Sequence, residues 1–141
     1  MSNLPKPPKT GIQIFDIQDP VYKQNIKFCL GGDSQQLLEL VKSVDGGLEE
    51  DPGEFESGIV LTNRIEQGRS PTFWIWVKRF RSTVYDYSFL AHECVHLLQS
   101  LLDWLEIDMS DETTEPCASL YEYIFGEILK ILRKQRTRKR G

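Results

Sequence analysis

Leu90-Ala91-His92-Glu93-Cys94-Val95-His96-Leu97-Leu98 is the stretch around which the chain reads. It holds both histidines of the protein, four positions apart, with a glutamate directly after the first. The apolar residues around them predict a helix, and on a helix residues four apart share one face, one turn from each other. Two imidazoles so placed can share one metal ion. His-Glu-x-x-His on a helix has a specific chemical meaning: two zinc ligands and a carboxylate that acts as general base. His92 and His96 are therefore the candidate metal ligands, Zn2+ the candidate cofactor and Glu93 the candidate catalytic residue.

Catalytic zinc takes three protein ligands and keeps one position open. The chain has no third histidine, and Gln99 and Leu102 stand where the extended three-histidine motif needs Gly and His. A three-histidine set is thereby excluded. Asp103 shares the histidine face but lies about two turns, roughly 10 Å, beyond His96. Glu115 is the preferred third ligand, because it opens the next helix, which a short loop would fold back against the first. Glu112 is the alternative, and Glu122 a more remote one. Glu93 points about 100° around the helix from His92, toward the open position. There it would take a proton from the attacking water and hand it to the leaving amine.

Outward from this helix the pattern predicts an α+β domain over residues 12–132. Gly11–Asp16 reads as a short or edge strand, and Asn25–Leu30 as a strand stopped by Gly31-Gly32. Asp33 or Ser34 would cap a helix over Gln35–Val44. Residues 45–57 read as an acidic loop, with a flap near the site as the functional alternative. Gly58–Asn63 and Thr72–Phe80 read as an antiparallel strand pair. The second is rich in aromatic and β-branched residues and apolar on both faces, Phe73/Ile75/Val77 and Trp74/Trp76. Trp74 and Trp76 are thus candidates either for core or for substrate contact. Asp86 or Ser88 would cap the histidine helix, which runs to about Leu105. Thr113 or Thr114 would cap a last helix, with Pro116 in its first turn. Tyr121, Tyr123, Tyr85 and Tyr87 are candidate transition-state donors, Tyr121 also for substrate binding.

Composition narrows the class. Hydrophobic residues make up 40% of 141, enough for one domain with its own core. No run of about 18 apolar residues predicts a membrane span. Residues 1–11, with three prolines and no apolar h-region, read as a flexible arm without a secretory signal. The three cysteines Cys29, Cys94 and Cys117 are an odd, widely spaced set that fits free thiols and a cytoplasmic setting. Net charge is −4, but residues 130–141 hold seven Lys and Arg and no acid. The preceding residues keep ten Lys and Arg against 21 acids, a balance of −11. An acidic body thus ends in a basic tail, residues 133–141. Arg136, Arg138, Lys139 and Arg140 are candidate contacts to nucleic acid or an acidic partner, although the tail lacks aromatic residues for base stacking.

The segment Leu90–Leu98 resembles the zincin metallopeptidase signature, in which uncharged residues surround the motif. Thr114-Glu115-Pro116-Cys117-Ala118-Ser119-Leu120-Tyr121 resembles the Glu-Pro-x-Ala segment of small gluzincin-like proteins common in bacteriophage genomes. The resemblance covers about residues 72–129. It implies a minimal zincin-like fold, with a small mixed or antiparallel sheet packed on the motif helix and the C-terminal helix. It also implies His92, His96 and Glu115 as ligands, a peptide or protein substrate, and edge pairing of that substrate with the strand ahead of the motif helix. For a phage-encoded protein the setting would be the host cytoplasm. Two departures stand out. Phe89 replaces a small or β-branched residue, and Ser119 stands where larger gluzincins have an aspartate supporting a histidine. The other expected function is non-catalytic, a zinc-containing protein that engages a host protein or nucleic acid through its basic tail.

Overall fold

The computed structural model describes residues 11–48, 52–63 and 71–140, the side chains of 137–140 excepted. Its strands are Gln13–Gln18 (β1), Asn25–Leu30 (β2), Gly58–Asn63 (β3) and Thr72–Val77 (β4); its helices are Ser34–Asp45 (α1), Val84–Leu105 (α2) and Thr114–Arg140 (α3). The strands form one mixed sheet in the order β1-β2-β4-β3. The β1/β2 and β3/β4 pairs are antiparallel, and β2 runs parallel to β4. The fold is therefore α+β, and the expected antiparallel pairing of β3 with β4 is present.

The alternation in β4 organises the layers. Phe73, Ile75 and Val77 point to one face, where they meet Leu90, Leu97 and Leu101 of α2 and Leu120, Ile124 and Ile128 of α3. Trp74 and Trp76 point to the other, where they meet Leu37, Leu40 and Val41 of α1. The sheet is thus covered on both faces, α1 being the cover that the two-helix expectation left out.

This settles the tryptophans. Both are 0% exposed, so neither can touch a substrate, and the substrate-binding assignment of Trp74 and Trp76 is corrected. A buried indole N–H without a partner costs about 1–3 kcal/mol. Here Trp74 Nε1 donates to Asp45 Oδ2 and Trp76 Nε1 to the Gly31 carbonyl, each at 2.7 Å. Phe55 packs edge-on against Trp76, with ring centroids 5.8 Å apart. The described end of the acidic loop therefore sits on the α1 side of the sheet, and residues 49–51 lie outside the described residues.

Local chemistry sets the ends of the elements. Asp33 Oδ1 accepts from the Gln36 amide at 2.8 Å and Gln36 Oε1 from the Asp33 amide at 2.9 Å, a reciprocal box that starts α1. Gly46, at φ 81°, ends it in the left-handed region where glycine is favoured. β4 stops at Val77, so Lys78–Phe80 belong to a loop and not to the strand. The expected arm at residues 1–11 falls outside the described residues except for Gly11. The expected basic tail is helical backbone, since α3 continues to Arg140. Cys29, Cys94 and Cys117 are free and buried. Among the described residues no helix is long and apolar enough to cross a membrane.

Candidate metal centre

α2 begins one residue after Thr83, earlier than the caps expected at Asp86 or Ser88. Thr83 Oγ1 accepts from the Asp86 amide at 3.1 Å, and Asp86 Oδ2 accepts from the amides of Thr83 at 3.3 Å and Arg81 at 2.6 Å. Asp86 is thus the third residue of the first turn and the reciprocal half of the cap. From this start the 3.6-residue period buries Leu90, Cys94, Leu97, Leu98, Leu101 and Leu102. His92 and His96 fall on the exposed side.

The two imidazoles converge. His92 Nε2 and His96 Nε2 are 3.2 Å apart, and the rings are inclined by 74°. Two nitrogens bound to one zinc at about 2.1 Å, and separated by that distance, subtend roughly 100°, close to a tetrahedral angle. That N···N separation is within the span of two ligands on one zinc ion. Glu93, between them in sequence, turns inward and is 7% exposed. Desolvation by burial pushes its carboxyl above the usual value, against the pull of positive charge on His96 and His92. A carboxylate raised in this way is better suited to receive a proton near neutral pH.

A groove of about 400 Å³ runs beside this pair. Glu93, His96, Gln99, Ser100 and Asp103 form its helical wall, and Gly58, Ile59 and Val60 of β3 form the other. β3 is an edge strand of the sheet. β4, the strand expected to pair with substrate, has β2 on one side and β3 on the other, so it has no free edge. The edge that faces the groove belongs to β3. Close approach of strand and helix depends on Gly58. A Cβ there would lie 2.6 Å from the Phe89 ring and 2.9 Å from the Trp76 carbonyl oxygen. The bulky residue at 89 is matched by an absent side chain at 58.

Glu115 is exposed in the first turn of α3, and Glu112 and Glu122 are exposed as well. The structure brings His92 and His96 together but does not bring Glu115 to them. Among the described residues no three His, Cys, Asp or Glu side chains converge as a metal-holding group. The reason is local: Cys117, Leu120 and Ile124 take the buried stripe of α3, which leaves Glu115 toward solvent. Tyr121 is committed at its hydroxyl, which donates to the Ala91 carbonyl at 3.3 Å. Tyr123 donates to the Gln18 carbonyl at 3.2 Å. Tyr85 is 71% exposed in the first turn of α2 and Tyr87 packs edge-on against Phe80. Arg136 is exposed on α3, while the side chains of Arg138, Lys139 and Arg140 lie outside the described residues.

Gln99, Ser100 and the β3 wall were not among the expected site residues. Gln99 and Ser100 could have been found, since they follow His96 by three and four and so share its face. The β3 residues could not, because their place beside α2 comes from the sheet order. Comparison with known proteins returns no family model, no curated relative and no solved structure that matches this chain.

Proposed function

We propose that this chain is a zinc-dependent metallopeptidase of minimal gluzincin-like fold. The observation that carries the reading is the 3.2 Å convergence of the two Nε2 atoms at a groove into which Glu93 is buried. His92 and His96 hold the ion, and Glu115 is the third ligand in this proposal. Support for Glu115 comes from the helix pair. Tyr121 of α3 reaches the Ala91 carbonyl of α2, immediately before His92. Glu115 precedes Tyr121 by six residues, about 9 Å of helix, on the turns that leave the α2–α3 loop. Binding zinc would require this exposed carboxylate to turn toward the pair.

When bound, zinc supplies Lewis acidity, lowering the pKa of a water and polarising a carbonyl. The chain's own residues do the rest. Glu93 takes a proton from the attacking water and delivers it to the leaving nitrogen. The β3 edge offers backbone donors and acceptors to an extended segment, which favours a peptide or flexible protein stretch as substrate. Asp103, Gln99 and Ser100 line the far end of the groove and contact residues beyond the scissile bond.

The test is Glu93→Gln against wild type on a fluorescently labelled unfolded protein, with zinc measured in both. The variant is expected to keep its zinc and to lose about 10²–10⁴-fold in hydrolysis, the usual contribution of a positioned acid–base group. Equal hydrolysis by the variant would refute the role given to Glu93.

A further inference from the structure

A second built surface lies at the other end of α2, where residues 78–89 meet the sequence-distant end of α3. The loop after β4 carries Lys78, Arg79 and Arg81. With Tyr85 and Phe89 they line a cleft of about 450 Å³ at the start of α2. Next to it is a cleft of about 330 Å³, lined by Phe80, Arg81, Leu132 and Arg136 among others. Arg81 lines both, so the loop and the end of α3 form one continuous basic band. After Glu127 the sequence of α3 has no acid, and it adds Lys130, Arg133 and Lys134 before Arg136. Among the described residues the one acid in either cleft is Asp86, whose Oδ2 already accepts the amides of Arg81 and Thr83.

The band also has an aromatic platform. Tyr85 is 71% exposed and lies nearly parallel to Phe89, with centroids 6.1 Å apart and planes 15° apart. Tyr85 shares its cleft with Lys78, Arg79 and Arg81. That is the combination that single-stranded nucleic acid uses, with cations along the phosphates and a π-face under a base. An acidic polypeptide would use the cations and leave the ring idle. A duplex would present phosphates but keep its bases stacked away from the ring.

We propose that the loop Lys78–Ser82, Tyr85 and the basic end of α3 form a binding surface for single-stranded nucleic acid. It is distinct from the histidine groove: among the described residues none lining that groove lines either basic cleft. The strand's phosphates run over Lys78, Arg79, Arg81 and Arg136, and one base stacks on Tyr85. Because the chain as a whole carries −4, binding depends on this local band and not on net attraction.

Fluorescence anisotropy with the full chain tests this, using labelled 20-mer oligothymidylate, a duplex of equal length and polyglutamate at low salt. Oligothymidylate is expected to bind most tightly, with affinity falling steeply as salt is added. Arg79→Glu and Arg136→Glu, on separate elements, are each expected to weaken it several-fold and to flatten the salt slope by about one. Tyr85→Ala is expected to weaken it about fivefold or more, and Tyr85→Phe to restore it. Thermal melting of each variant identifies any loss that comes from unfolding, and Glu93→Gln is expected to bind as wild type does. No binding of oligothymidylate by wild type would overturn the proposal. So would equal binding of duplex or polyglutamate with Tyr85→Ala unchanged.

Discussion

At the scale of single residues, Glu93 and Gly58 define the site by what surrounds them. Burial raises the Glu93 carboxyl above its ordinary 4.5, with positive charge on His96 and His92 opposing. The folded chain therefore holds this proton more tightly than the unfolded one. The stability that protonation gives is complete below pH 4.5 and is lost as pH rises through the raised folded value. In metal-free protein Glu93→Gln, which carries no charge at any pH, is expected to melt above wild type at pH 7, with the gap closing toward pH 4. A gap that widens on acidification would contradict this sign. Gly58→Ala must push a Cβ against the Phe89 ring and the Trp76 carbonyl. Overpacking of this kind costs about 1–3 kcal/mol. Because the ring is half the clash, Phe89→Leu in the same chain is expected to recover part of the loss, measured as a double-mutant cycle by urea unfolding. The motif itself was legible at this scale, since the spacing of His92 and His96 needs only helical geometry. The need for glycine at 58 was not, because Phe89 is 31 positions away in the sequence and meets it only through the sheet.

At the scale of elements, caps set where the helices start and covers set which faces of the sheet are buried. Thr83→Ala removes the hydroxyl that accepts the Asp86 amide, and such losses cost about 1 kcal/mol. At Asp86 desolvation is the largest single effect and pushes the carboxyl up, but the hydrogen bonds from the Arg81 and Thr83 amides, the Thr83 hydroxyl and the Arg81 charge together outweigh it and leave the carboxyl below 3.8. Its contribution to the cap is therefore present above pH 3.8 and lost as pH falls through the depressed folded value. Helicity of α2 should survive to lower pH in wild type than it would with an unperturbed carboxyl at 86. The pairing of β3 with β4 and the existence of α1, α2 and α3 were readable from alternation and 3.6-residue spacing. Their ends were less so. The sequence pointed to Asp86 or Ser88 as the cap of α2, whereas the reciprocal bonds of Thr83 with Asp86 put it at Thr83. Trp76→Phe removes the bond to the Gly31 carbonyl while keeping most of the packing. It is expected to lower stability by about 1 kcal/mol or more and to leave KM unchanged, since the indole faces α1. A raised KM at unchanged stability would return Trp76 to the substrate site.

At the scale of the whole molecule, the layering decides what is exposed. The order β1-β2-β4-β3 buries β4 and leaves β3 at the groove. That order depends on the parallel pairing of β2 with β4, which no local pattern encodes. For the same reason the α1 cover was not legible. The partners of the indoles, Asp45 and Gly31, are 29 and 45 residues away along the chain. Burial on both sides of the sheet also accounts for the thiols. Desolvation pushes Cys29 and Cys94 up to about 12, so both are expected to resist alkylation at pH 8 until the chain is unfolded. The basic band likewise exists only in the folded chain, where Arg81 and Arg136 line one cleft.

Hydrolysis as proposed requires the two converging imidazoles to hold the metal. Zinc content of protein purified without added metal tests them most directly. Wild type and Glu93→Gln are expected to carry one zinc per chain, and His92→Ala with His96→Ala to carry none while keeping a cooperative melting transition. Zinc content unchanged in the double variant would contradict the assignment of His92 and His96 as its ligands.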